Sequence, residues 1–395
     1  MSHHESNHVS RRQFIERVAT GSAAVATAPV LQRATAAAQP QTATKAIQAE
    51  IEKTRSYNPQ MEYRRLGKTG LWVSAVSMGG HWKRVDKIIR STAAFAGCET
   101  MGEASQSDMT AFAKNRADTI SACIEHGINS IDFAGAMEPI AYGNALKGRR
   151  EKVYIHWSMG GQELRHKDHR KAEILVEWFE KGLKETGLQY ADCWRLMAYE
   201  RGGLHTQQEV DEMVKALEIA KKKGLCRFTG FSTHDRKWAK MLIETYPDVM
   251  QMCCFPYTAQ SKQLPEDSFL DALVKMDVGA FGIKPFASNA IFQGDGSPDG
   301  PHAEKDSRTA RQTIRYILTN PAITAPIPGL ASVEQVQNMA LAIRERREQD
   351  LSQAGAEVPA GRLDPSTQAE LDAATASMWE KLEPHHRFLK DWEYV

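Results

Sequence analysis

Among the 395 residues there is no block of one charge sign: 50 Lys and Arg stand against 49 Asp and Glu, a formal charge of +1. That balance offers no electrostatic footprint to nucleic acid or to an anionic membrane surface. Past residue 40 no apolar run is long enough to span a bilayer, so no membrane span is expected in the mature protein. The six cysteines, Cys98, Cys123, Cys193, Cys226, Cys253 and Cys254, show no CxxC spacing, and four stand in apolar strand-like stretches. They read as small buried hydrophobes rather than as ligands of zinc or an iron–sulfur cluster. No GxGxxG follows the first strand-like run, which weighs against a doubly wound dinucleotide domain.

What is present begins at the N-terminus. Ser10–Ile15, SRRQFI, is a twin-arginine pattern, followed by the mildly apolar VATGSAAVATAPVL and by alanine-rich sites ending at Ala36 and Ala38. Residues 1–38 read as a signal peptide for the twin-arginine translocation machinery, which exports folded proteins, so the expected location is periplasmic or extracellular. Residues 39–58 read as a polar linker.

Eight short strand-like runs then alternate with helical ones, the pattern of a parallel barrel of βα units. They are SAVSMGG, SIDFAG, VYIHWS, ADCWRLM, CRFTGFS, VMQMCCF, AFGIKPF and AITAPIPG. Between them lie amphipathic segments such as EVDEMVKALEIAKKKG, whose closing lysines and glycine suit a helix C-terminus. Two connections are long, Lys83 to about Ala113 and Ser288 to Ser307. Both leave the carboxyl ends of strands, where barrel enzymes build their sites.

MEYRRLGKTGLWVS, ALKGRREKV, GLCRFTGFST and IPGLASVEQVQN follow one another in the order and spacing of the aldo/keto reductase family, which the chain resembles from Met61 to about Arg346. The resemblance implies an α/β fold, a (β/α)8 TIM barrel over 59–346, with an N-terminal β-hairpin plugging its bottom and a C-terminal helical extension, 347–395, packed on it. It also implies a nicotinamide dinucleotide lying across the mouth and a small carbonyl or alcohol, a sugar among them, as substrate. Family chemistry uses an aspartate after the second strand, a tyrosine proton donor, a lysine ending the third strand and a histidine ending the fourth. Asp132 matches the first. The lysine position is Ser158, the histidine position is Met197, and the tyrosine position falls in the shortened Gly135–Met137. Tyr142 aligns with a helix-packing leucine.

For the cofactor, the resemblance points to Ser232, Gln251, Lys284, Gly329, Ser332, Gln335 and Asn338. Ile283 replaces a stacking aromatic, and Ala331 and Ser332 replace the basic residues that clamp a 2′-phosphate. The expected cofactor is NAD or NADP, with NAD favoured.

Side chains alternate along a strand, so inward-facing Ser158 and Met197 bring His156 and Arg195 inward one layer deeper. An unpaired charge in a barrel core is costly, so Asp132, His156 and Arg195 are expected to bond to one another. With Ser158 they form the expected catalytic set: His156 exchanges a proton, and Arg195 orients its neighbours or binds an anionic group. The same residues equally suit a purely structural network. His81 and Trp82 are expected in the substrate pocket. Histidines 81, 166, 169, 205, 234 and 302 collect at the mouth, with Glu138 and Glu200 nearby. His166 and His169 have ligand spacing only on a helix, and a metal is not expected. Three readings stay open: an exported oxidoreductase lacking the usual proton relay, a silent barrel that binds a ligand or partner, and a metal enzyme built on the mouth histidines.

Overall fold

The computed structural model describes residues 40–81, 84–91, 104–135, 137–261, 267–352 and 362–382, with 384, 387 and 390. The twin-arginine segment, Trp82, Cys98 and most of the terminal PHHRFLKDWEYV lie outside them.

Strands β1 (Tyr63–Arg65) and β2 (Trp72–Ser74) form an antiparallel hairpin. Eight parallel strands follow: β3 (Met78–Gly79), β4 (Ser130–Asp132), β5 (Tyr154–Trp157), β6 (Ala191–Met197), β7 (Cys226–Ser232), β8 (Met252–Pro256), β9 (Gly279–Ile283) and β10 (Ala325–Ile327), each paired with its sequence neighbour. The ring closes between first and last: Ser77 N donates to Pro326 O at 2.9 Å, Gly79 N donates to Pro328 O at 2.8 Å, and Gly79 bridges Gly329. A (β/α)8 barrel is the result, one strand for each of the eight apolar runs. Glycine is required at the seam, because a Cβ on Gly79 would lie 2.8 Å from Ile327 Cγ2 and one on Gly329 would lie 2.7 Å from Gly80 O.

Strand alternation sorts the side chains into two cores. Outward residues such as Ile131, Ile155, Trp157, Trp194, Phe231 and Phe255 pack under the surrounding helices. Inward residues Tyr154, Cys193, Met252, Cys254, Phe281, Ala325 and Ile327 join Leu66, Leu71 and Val73 of the hairpin, which fills the bottom of the lumen. The helices follow from their sequence. Ala172–Thr186 buries Leu175, Val176, Phe179, Gly182 and Leu183, an apolar stripe at helical spacing, and stops at Gly187, whose φ is 70°. Gln207–Lys222 opens on a capping box between Thr206 and Glu209.

Two boundaries differ from those expected. The linker is not a plain tether: Pro40–Ile51 is helical, and Arg55 docks under the barrel, with Nη1 2.6 Å from Val153 O and 3.1 Å from Asp192 Oδ2. Buried Asp192 also accepts from Arg150 and Arg227, so the segment is held by a shared carboxylate that composition alone did not reveal. The boundary placed at 346 falls inside the helix Val333–Ser352. Beyond it, Met378 and Leu382 pack with Ala287 and Ile291 of the segment after β9, and Leu363 and Leu371 pack with Ala259 after β8. The extension therefore lies against connections that leave the mouth. The two long connections also meet there, Arg84 Nη1 donating to Gly294 O at 2.8 Å.

Candidate active site

Asp132 ends β4, and Arg195 comes from β6, with β5 between them. Arg195 Nε donates to Asp132 Oδ1 at 2.8 Å and Nη2 to Oδ2 at 2.6 Å, while Nη2 also reaches Phe133 O at 3.3 Å. This is a bidentate fork in a dry lumen, with both side chains almost wholly buried. Burial raises the Asp132 carboxyl to about 6, with the guanidinium pulling it back. Burial also opposes the Arg195 charge, but Asp132 more than reverses that, so the guanidinium titrates above its usual value. Each favours the charged form of the other. Arg195 Nη1 is buried with no hydrogen-bond partner among the described residues.

His156 does not join them, contrary to the expected three-way bonding. Its Nε2 lies 2.9 Å from Ser130 Oγ, which lies 2.9 Å from Ser77 Oγ, so the hydrogen bonds run toward β3 and the barrel bottom. Ser130 is the next inward residue below Asp132 on β4, and its hydroxyl meets the imidazole first. The ring packs 4.6 Å from that of Phe281, and Nδ1 has no partner. Burial lowers the imidazole to about 3, so it is neutral at physiological pH. Its hydrogen bonds lead away from the mouth.

Ser158, at the lysine position, points to a carboxylate that the sequence reading missed. Ser158 Oγ donates to Glu163 Oε2 at 3.1 Å, Met197 N donates to the same oxygen at 2.7 Å, and Trp194 Nε1 donates to Oε1 at 3.1 Å. Glu163 thus gathers contacts from both vacated positions, Ser158 and Met197. Burial raises its carboxyl against these hydrogen bonds. It lies in the loop GGQELRH after β5, where no periodicity marks an inward residue.

A third buried carboxylate closes the mouth side. Glu138 Oε1 accepts from His81 N at 2.6 Å and lies 3.1 Å from His81 Nδ1. Its Oε2 accepts from Ala134 N at 2.6 Å and Gly135 N at 3.2 Å. The carboxylate fills the space beside Gly80, where any Cβ would collide with it. Burial opposes its charge, but His81 and these backbone donors hold it below the usual carboxylate range. Tyr142, four residues on, is a packing residue: it is fully buried, its ring stacks on Phe133, and its hydroxyl donates to Gly79 O at 3.2 Å.

The residues assigned to a cofactor divide. Ser232 ends β7 beside Cys254, and its hydroxyl makes no hydrogen bond within the described residues. Lys284 follows β9 with φ 55°, and Gly329 and Ser332 follow β10 at the same mouth. Gln251 is misplaced in the sequence reading. It precedes β8 at the opposite end of the barrel, where its Oε1 accepts from Lys221 Nζ at 3.0 Å. The register puts Cys254, three residues later, level with Ser232. Gln335 and Asn338 are committed within the protein. Gln335 Oε1 accepts from Ala331 N at 2.8 Å, and Asn338 bonds to Arg311 and to Ser307 O.

The other mouth histidines are tied into the loops. His166 precedes, and His169 closes, a short 3-10 turn rather than an α-helix; their rings stack on each other, and His169 Nδ1 lies 3.0 Å from Gln162 O. His205 Nε2 accepts from Tyr199 N at 3.0 Å, which leaves Nδ1 to donate to Glu209. Among the described residues no three His, Cys, Asp or Glu side chains gather to hold a metal ion.

The aldo/keto reductase family profile matches residues 100–312. L-galactose dehydrogenase of Arabidopsis thaliana is 24% identical over 312 residues, spanning 72% of this chain and 89% of that one. An uncharacterised oxidoreductase of Bacillus subtilis is 26% identical over 264 residues, spanning 59% and 84%. The holo form of an aldo-keto reductase from Bacillus halodurans superposes with a TM-score of 0.55 at 17% identity, covering 83% of this chain and 99% of that one. An aldo/keto reductase from Klebsiella pneumoniae, in complex with NADP and acetate, gives 0.53 at 18%, covering 79% and 95%. Matched by the family profile over more than half its length and closed by the same barrel, this chain belongs to the aldo/keto reductase family.

Proposed function

We propose that the protein is an oxidoreductase that interconverts a small carbonyl compound and its alcohol with a nicotinamide dinucleotide. The observation that carries this reading is the Asp132–Arg195 pair. The family's buried carboxylate keeps a cationic partner at the base of the mouth, though the cation comes from β6 instead of the lysine position. A polar cluster of this kind, surviving where barrels are normally filled with branched apolar residues, suits chemistry more than packing.

The residues present fit a dinucleotide at its nicotinamide end. Among the described residues the Ser232 hydroxyl and Arg195 Nη1 are donors without protein acceptors, on β7 and β6. Ser232 would hold the carboxamide, with Lys284, Gly329 and Ser332 along the rest of the mouth. When bound, the dinucleotide supplies or removes hydride. Arg195 keeps Asp132 ionised and fixed, and Glu163 ties Ser158 after β5 to Met197 at the end of β6. The similar Klebsiella pneumoniae structure is an NADP complex. Here NAD is the better fit, because Ala331 and Ser332 offer no cation to a 2′-phosphate. Mass spectrometry of the denatured protein, with fluorescence titration of NADH and NADPH, tests this. Tighter binding of NADH is the expected result, and failure to bind either dinucleotide leaves a ligand-binding barrel without redox chemistry.

The SRRQFI pattern supports export of the folded chain by the twin-arginine machinery. Changing both Arg11 and Arg12 to Lys is expected to hold the protein in the cytoplasm. Unchanged export on cell fractionation overturns this part of the reading.

A further inference from the structure

We infer that His81, held by Glu138, is the acid that protonates the substrate oxygen, in place of the family's phenol. The inference rests on the reductase reading above.

The phenol's segment has been rebuilt. Gly135 and Ala134, at the turn where the shortened sequence leaves β4, give their N–H groups to Glu138 Oε2, while Glu138 Oε1 takes His81 N and faces His81 Nδ1. Tyr142 is no substitute, since its hydroxyl is spent on Gly79 O inside the wall. His156 is neutral, buried and bonded to Ser130. His81, by contrast, leaves 55% of its side chain exposed. It stands directly after β3, and its carbonyl oxygen would lie 3.0 Å from a Cβ on Gly329, so it borders the segment expected to hold the dinucleotide. Its φ of 49° is left-handed, a conformation uncommon outside glycine. Asp132 lies close enough to feel both His81 and Glu138.

The chemistry balances. The imidazolium donates Nδ1–H to Glu138 and gives its Nε2 proton to the carbonyl oxygen. A reduced dinucleotide, when bound, would supply hydride to the carbonyl carbon, so that the C=O π bond becomes C–H and O–H and that cofactor is oxidised. The neutral imidazole recovers a proton from water. Glu138 is a positioning residue that stays ionised and favours the imidazolium. Among the described residues the charged groups around the dyad are Asp132, with Arg195 beyond it, and, on the far side of Glu138, Arg116.

The test uses the full-length protein with NADH and para-nitrobenzaldehyde, and NMR titration of the histidine rings without ligand. His81→Gln is expected to lower kcat/KM by about 100-fold while the dissociation constant for NADH changes little. Glu138→Gln is expected to move both the His81 titration and the alkaline limb of the rate profile down by about one pH unit. Wild-type kcat/KM in His81→Gln, or a His81 titration indifferent to Glu138→Gln, overturns the inference and leaves the reductase reading standing. If the native enzyme neither binds NADH nor reduces the aldehyde, both fall.

Discussion

Replacing Arg195 with methionine lowers the free energy of unfolding by about 3–5 kcal/mol, the loss expected when one member of a buried ion pair is removed. The reason is the stranded charge. Asp132 is walled in at the end of β4, and among the described residues the bidentate fork from Arg195 is its only ion-pair partner within contact distance. Adding Asp132→Asn removes that charge, so the double variant regains most of the loss. Urea unfolding of the four proteins of this cycle at neutral pH measures the coupling. If the losses simply add, the pair does not hold the site together. The same cycle separates structure from function, because the double variant is expected to fold but to have lost the ionised carboxylate at the base of the mouth.

The second large effect is one of pH. His156 titrates near 3 in the folded protein against 6.5 when free, so folding opposes its protonation. A depressed value means that the full contribution is present above pH 6.5 and is lost as pH falls toward 3. The slope of about 1.4 kcal/mol per pH unit puts the loss at about 2 kcal/mol between pH 6.5 and about pH 5. Asp132 and Glu163 act in the opposite sense, since both are raised by burial and lose stability as pH rises. The informative quantity is therefore the difference between the native protein and His156→Gln, which can keep the contact with Ser130 but has no ring to titrate. Denaturation midpoints at the two pH values are expected to diverge by that amount. Parallel midpoints would mean that water or a counter-charge reaches His156.

The barrel was legible because strand alternation and βα spacing are local properties, and each of the eight apolar runs became a strand. The same alternation placed Arg195 inward beside Asp132. It failed where direction within the lumen mattered. His156 has the inward register, yet a hydroxyl one layer down was nearer than the carboxylate at its own level. Gln251 shows the limit of motif spacing, because a strand that begins one residue later puts that residue outside the ladder at the wrong end of the barrel. Glu163 and the grip of Glu138 on the turn after β4 were invisible, since loops that fold back over a barrel carry no period. Their carboxylates are recognisable only by the backbone and indole donors that converge on them.

The ring is a band fastened by a clasp. Most neighbouring strands share longer ladders, but β3 meets the last strand through two amide bonds and a pair of glycines. That clasp includes Gly329, whose Cα faces the His81 carbonyl, so any widening at the seam would separate the imidazole from the segment after the last strand in one movement. If a long cofactor enters at the mouth as proposed, its entry and the placing of the proposed acid would be coupled through that one short join.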